Sequence, residues 1–78
     1  MQCCETTIHT VEELGATLRR VRKEAGFTQR DAAALCNVSL PFLNSIEQGK
    51  ATAQIGKVLA VCARLGVEIR LSLPGGQA

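Results

Sequence analysis

Apolar residues recur along the chain at helical spacing in four stretches and at alternating spacing in a fifth. The first stretch opens with Thr10 and, three residues on, Glu13. In that pattern each side chain satisfies a backbone N–H that the first helical turn leaves unpaired. Val11, Leu14, Leu18, Val21 and Ala25 then follow at steps of three and four. They predict a helix with one face toward a core, Arg19, Arg20 and Lys23 on the other, and Gly26 at its end. Phe27 is a new apolar anchor, and Thr28 with Asp31 repeats the capping signature for a short second helix through Cys36. Ala32, Ala33 and Cys36 are its inward residues, small enough to let another helix approach closely.

Asn37 and Val38 form a tight turn, and Ser39 caps a third helix that runs to about Gln48. Pro41 falls in its first turn, where a missing N–H costs nothing. Leu43 and Ile46 face inward, Gly49 ends the helix, and Ser39, Pro41, Asn44, Ser45 and Gln48 remain on the outer face. A fourth helix is expected to open at Thr52 and to carry Ile55, Val58, Leu59, Cys62 and Leu65 inward until Gly66. Val61 falls off that stripe and is expected to touch something outside the monomer. Gly56, which costs roughly 1 kcal/mol relative to alanine inside a helix, points to close packing.

Val67, Glu68, Ile69, Arg70, Leu71, Ser72 and Leu73 alternate strictly between apolar and polar before Pro74, Gly75 and Gly76. This is a strand pattern. A lone strand leaves its backbone groups without a ladder, and the simplest partner is the same strand of a second copy. A two-fold axis makes that pairing antiparallel. Centring it on Ile69 places Glu68 opposite Arg70 of the other copy and Val67 against Leu71, whereas centring on Arg70 would oppose two arginines. The expected dimerisation residues are therefore Val61, Val67, Glu68, Ile69, Arg70, Leu71 and Leu73. The chain divides into a flexible leader over 1–9, a helical domain over 10–66, the strand over 67–73 and a tail over 74–78, with no internal repeat or low-complexity segment.

Composition narrows the function. Seventy-eight residues have room for one small core and not for a second, ligand-sensing domain. With 46% hydrophobic and 21% charged residues, the chain is expected to fold. Two Phe and no Trp or Tyr leave little from which to build the stacking platforms of single-strand binders. No apolar run approaches a membrane span and the first ten residues do not resemble a signal peptide, so a cytoplasmic protein is expected.

The net charge of +2 says little, but Arg19, Arg20, Arg22, Lys23 and Arg30 face a single acid, Glu24, within twelve residues. Alone, that stretch fits a solvated helix face as well as a nucleic-acid contact. Cys3, Cys4, Cys36 and Cys62 show no zinc-ligand spacing, and the one histidine, His9, has no nucleophile pattern around it. Cys36 and Cys62 lie on apolar stripes as small hydrophobes, while Cys3 and Cys4 sit in the polar leader. No catalytic residue, metal or cofactor is expected, and the protein is not read as an enzyme.

The segment FTQRDAAALCNVSLPFLNSIEQGK supplies two short helices, a turn, caps and a terminating glycine in the order a helix-turn-helix requires. By pattern alone, an αα-hairpin without a DNA role also fits. Arg22 and Lys23, Gly26, Phe27, Thr28 and Gln29, Ala33, Val38 and Ser39, then Leu43, Ile46, Glu47, Gly49 and Lys50 resemble the core of phage-repressor-like, XRE-type DNA-binding domains over residues 10 to 67. Within that family LGATLRRVRKEAGFTQ, FLNSIEQGKATAQIGKVL and LGVEIRLSL are similar to the HipB-like antitoxins, which add a C-terminal strand that pairs across a dimer.

The resemblance implies a mainly α, lambda-repressor-like fold of about four to five helices with a C-terminal β-strand pairing across a homodimer. It also implies a repressor of a palindromic double-stranded DNA operator, the autoregulating antitoxin of a HipA-like kinase toxin. Gln29 matches a phosphate clamp and Thr28 offers a cap and backbone N–H groups beside it. Arg22 and Glu47 match a structural ion pair between the first and third helices. Ser39, Leu40, Pro41, Asn44 and Ser45 match positions that reach base edges or adjacent backbone, with Lys50 beyond them among the DNA-binding residues. Leu40 and Pro41 depart from the polar residues usual there, which shifts readout toward Asn44, Ser45, thymine-methyl contact by Leu40, and DNA shape. A stand-alone regulator without a toxin, or an interaction module that does not bind DNA, are the alternatives.

Overall fold

The structure, a computed structural model, describes residues 4–76. Cys3 and the outer ends of the leader and tail lie outside the described residues. Four α-helices follow in order, α1 (Val11–Glu24), α2 (Gln29–Cys36), α3 (Leu40–Glu47) and α4 (Ile55–Arg64), and a 3-10 turn over Pro74–Gly76 comes last. α3 packs against both α1 and α2, and α2 also meets α4.

Most helix ends are where local chemistry puts them. At α1 both halves of the capping box form, with the Glu13 N–H donating to Thr10 Oγ1 at 3.1 Å and the Thr10 N–H donating to Glu13 Oε1 at 3.0 Å. The backbone N–H of His9, joined by that of Thr10, holds the Glu13 carboxyl below the usual carboxylate range. At α2 only half of the box forms. Thr28 accepts from the Asp31 N–H, while the shorter Asp31 side chain makes no return bond. Asn37 takes the left-handed conformation at the end of α2, which a short polar side chain tolerates.

The core consists of Leu18, Ala32, Ala33, Cys36, Leu43, Ile46, Val58, Val61 and Cys62, with Leu14, Phe27, Val38, Phe42, Leu65 and Val67 packed against it. Burial pushes the Cys36 and Cys62 thiols up, so both remain protonated and fill space as small apolar groups. Two glycines determine how closely α1 and α3 meet. A Cβ on Gly15 would lie 2.2 Å from the Ile46 carbonyl oxygen, so only glycine lets the backbones approach. Gly49, at φ +87°, turns the chain after α3 where a Cβ would meet Glu12 of α1.

Several sequence expectations are corrected. Val11 at the start of α1 and Ala25, which caps its end, are exposed, and Gly15 and Arg22 take buried places instead. Thr52 does not open the fourth helix. The turn after Gly49 continues until the Ala53 N–H meets the Lys50 carbonyl and Ala53 packs on the core, so Gln54 becomes the N-cap, without a side-chain bond. Val61, expected to face outward, is 0% exposed, whereas Ile55 and Leu59 lie at the surface. Val58, Val61, Cys62 and Leu65 form an equally good i, i+3, i+4, i+7 set, and packing against α2 selects it. Gly56 meets nothing within 4 Å and marks no close approach.

The expected strand is absent as secondary structure among the described residues. Residues 67–73 are neither helix nor ladder, because a ladder requires a neighbouring strand and this chain supplies none. Val67 is anchored by its N–H to the Cys62 carbonyl at 2.8 Å and packs on the core. Beyond it Ile69, Leu71 and Leu73 are exposed, Leu71 by 81%.

Candidate nucleic-acid interface

α2 and α3, joined by Asn37, Val38 and Ser39, form the two-helix unit that the sequence predicts. Its inner side is apolar, with Ala32, Ala33 and Cys36 of α2 and Leu43 and Ile46 of α3 buried. α3 begins under the Ser39 cap, whose Oγ accepts from the Phe42 N–H at 3.1 Å, and Pro41 in its first turn forfeits no helical bond. Ser39, Leu40, Pro41 and Gln48 are exposed and Asn44 and Ser45 half-buried, so the outer side of α3 is open along its length. Thr28 and Lys50 are exposed at the start of α2 and after α3. Arg30, in the first turn of α2, is exposed as well and adds a positive charge beside Thr28.

A buried ion pair ties this unit to α1. Arg22 Nε donates to Glu47 Oε2 at 2.7 Å and Arg22 Nη2 to Glu47 Oε1 at 3.1 Å, a two-point contact with the side chains 6% and 2% exposed. Arg22 Nη1 donates to the Phe27 carbonyl at 2.8 Å, which holds the α1–α2 connection as well. The pair expected between the first and third helices is therefore present. Arg22 belongs to the interior and not to the basic surface formed by exposed Arg19, Arg20, Lys23 and Arg30.

The ion pair continues into a polar chain that sequence reasoning missed. Gln29 Nε2 donates to Glu47 Oε1 at 3.0 Å and to Asn44 Oδ1 at 3.2 Å, and Gln48 Nε2 reaches the same Asn44 oxygen at 3.5 Å. The residues expected to clamp phosphate and to read bases are thus in direct contact. Sequence separations of 15 and 18 residues hide such contacts, although the i, i+4 spacing of Asn44 and Gln48 was visible. Ser45 Oγ donates back to the Phe42 carbonyl at 2.7 Å, which commits its hydrogen and leaves its lone pairs as acceptors. Lys57 of α4 stands over the Phe42 ring of α3, 5.6 Å from its centroid.

Among the described residues no grouping of His, Cys, Asp and Glu could hold a metal ion, and no helix is long and apolar enough to cross a membrane.

Residues 13–71 match the family described as the helix-turn-helix domain. The chain belongs to this family. It is 46% identical over 68 residues to the uncharacterized HTH-type transcriptional regulator y4mF of Sinorhizobium fredii (strain NBRC 101917 / NGR234), covering 87% of this chain and 90% of the relative. The clp gene regulator ClgR from C. glutamicum superposes with a TM-score of 0.66 at 32% identity, over 80% of each chain. A chain of the HipA-HipB-O2-O3 complex superposes with a TM-score of 0.80 at 16% identity, over 90% of this chain and 99% of the other, a likeness of fold. The XRE-like helix-turn-helix regulator implied by the sequence is therefore the fold and family observed. In such a DNA-binding regulator α3 has the position of the recognition helix, and α2 braces it.

Proposed function

We propose that this transcriptional regulator is a repressor that binds a palindromic DNA operator as a homodimer. The observation that carries the reading is the open outer side of α3 next to the start of α2, both held in place by the buried Arg22–Glu47 pair. A major groove accepts an α-helix, and the first N–H groups of α2, at Gln29 and Arg30, have no partner within the helix and suit a phosphate. Thr28, Gln29, Ser39, Leu40, Pro41, Asn44, Ser45 and Lys50 form the DNA-facing set, with Arg30 adding charge.

The exposed apolar residues support the dimer. Ile55 and Leu59 on α4, with Ile69, Leu71 and Leu73 after it, form more exposed apolar surface than a small monomer needs. A second copy pairing through residues 67–73 would cover it and give each strand its ladder. Two recognition helices would then meet major grooves about 34 Å, or one helical turn, apart.

Within this reading the chain acts in the cytoplasm as the autoregulating antitoxin of a HipA-like kinase. The likeness of fold over nearly the whole of a chain from the HipA-HipB-O2-O3 complex favours it over a stand-alone regulator. Gel shifts with the chain's own promoter region test the repressor, and binding that survives scrambling of one half-site at physiological salt would count against it. Co-purification with a kinase encoded beside it tests the antitoxin. A genomic neighbourhood without such a kinase would leave the stand-alone regulator.

A further inference from the structure

The polar chain that begins at the buried ion pair ends at a side chain on the DNA-facing side of α3, and it carries a chemical direction. A carboxylate can only accept hydrogen bonds, so the atom of Gln29 that faces Glu47 Oε1 at 3.0 Å must be its amide nitrogen. That nitrogen has two hydrogens. The second meets Asn44 at 3.2 Å, which makes the Asn44 atom there the carbonyl oxygen. The same oxygen is turned toward Gln48 as well, whose Nε2 lies at 3.5 Å, the outer limit of a hydrogen bond. Among the described residues Asn44 Nδ2 makes no hydrogen bond, and no buried side-chain nitrogen or oxygen is left unpaired, so Nδ2 is not sealed from solvent. Arg22, holding Glu47 at two points, fixes the orientation of the whole series.

We propose that Gln29 is a positioning residue for sequence readout: it locks the amide of Asn44 so that this side chain faces the major groove as a donor alone. The proposal rests on the DNA-binding reading above and specifies what one base pair of each half-site must offer. An asparagine free to turn its amide pairs at two points with adenine, accepting from N6 and donating to N7. A locked Asn44 cannot accept. It selects guanine, whose O6 and N7 are both acceptors, over adenine, whose one free N6–H would find no partner on the side chain. With both its amide hydrogens occupied, Gln29 meets phosphate through its backbone N–H at the start of α2.

The test uses the full chain and a pool of randomised 20-base-pair duplexes, sequenced after binding. Wild-type protein should enrich one position in each half-site that loses its preference in Asn44→Ala, and guanine should exceed adenine there by about tenfold. Gln29→Met keeps the side-chain volume and the Arg22–Glu47 pair but releases Asn44, and the preference at that position alone should turn toward adenine. A merely structural role for Gln29 would lower affinity without changing the base. Wild-type protein can also be tested without any variant, since replacing the selected guanine by 7-deazaguanine removes one acceptor and should weaken binding severalfold.

Adenine preferred by the wild type, an unchanged base ratio in Gln29→Met, or indifference to 7-deazaguanine would each overturn the lock. So would a uniform loss of affinity in Asn44→Ala, which would place Asn44 on phosphate. A wild-type pool with no enrichment at any position would instead overturn the DNA-binding reading on which the lock rests.

Discussion

The two ends of this chain solve the same problem in opposite ways. From Thr10 to Gly49, nearly every polar group that leaves water finds its partner within the chain. Arg22 meets Glu47 and the Phe27 carbonyl, Gln29 meets Glu47 and Asn44, and the helix starts are capped by Thr10, Thr28 and Ser39. From Val67 onward the backbone has no ladder, and beyond Val67 the apolar side chains are exposed. Each region also holds an arginine–glutamate contact at 2.7 Å. Arg22–Glu47 is almost wholly buried, whereas Arg70–Glu68 is 71% and 74% exposed. Equal distances therefore carry unequal energies, because water screens the second pair and is absent from the first. The first region is complete within one molecule, and the second leaves its apolar side chains uncovered in the single chain.

The contrast breaks most sharply at the buried pair. Arg22→Ala or Glu47→Ala should each cost about 3–5 kcal/mol, because a buried charge is left alone, and the double variant should cost less than the sum. Urea melts measure this, and losses below 1 kcal/mol would mean that the pair is hydrated. At the other end, truncation after Val67 keeps the residue that caps α4 and removes the exposed alternating segment. It should leave a folded monomer whose operator affinity falls by about 10²–10⁴-fold, since two half-sites are no longer engaged together. Sedimentation and gel shifts check it, and a truncated dimer as tight as the full chain would place dimerisation elsewhere.

Smaller effects sharpen the same comparison. Gly15→Ala drives a Cβ onto the Ile46 carbonyl and should cost about 1–3 kcal/mol as α1 and α3 separate, whereas Gly56→Ala, with open space around it, should be neutral or stabilising. Thermal melts separate the two. Thr10→Ala should remove about 1 kcal/mol through the lost cap. The Glu13 half of that box is pH-dependent. Its pKa is lower in the folded than in the unfolded chain, so its contribution is complete above the ordinary carboxylate range and is lost as pH falls through the lowered value. Acid titration followed by circular dichroism should show the start of α1 loosening there in wild type and less so in Glu13→Gln. Smallest of all, Glu68→Ala should change monomer stability by less than about 0.5 kcal/mol, as exposed pairs do. A larger loss for the full chain at high protein concentration than on dilution to the monomer would show that the residue meets a second copy.

Local chemistry was legible in the residues themselves. Caps, terminating glycines and the order of the first three helices follow from bonds between neighbours, which is why Thr10, Thr28 and Ser39 begin helices where their side chains can reach a backbone N–H. The motif around Gln29, Ser39 and Glu47 also pointed to the right family and to the Arg22–Glu47 pair. What stayed hidden depends on which surfaces meet. α4 is apolar on nearly every side, so two stripes satisfied its period, and only the contact with α2 put Val61 inside and Ile55 and Leu59 outside. Gly15 and Gly56 look alike in sequence, and one lies against a backbone while the other lies in open space.

By its own order of residues, then, the chain determined the elements whose bonds lie within a few positions of one another, together with the alternating segment that has no partner of its own. Tertiary structure decided the rest: which face of α4 is core, how near α1 comes to α3, and the direction of the amides from Glu47 through Gln29 to Asn44. Packing and buried hydrogen bonds join residues that are distant in sequence, and a burial choice between two equally periodic faces has no local signature. It is settled only when the helices meet.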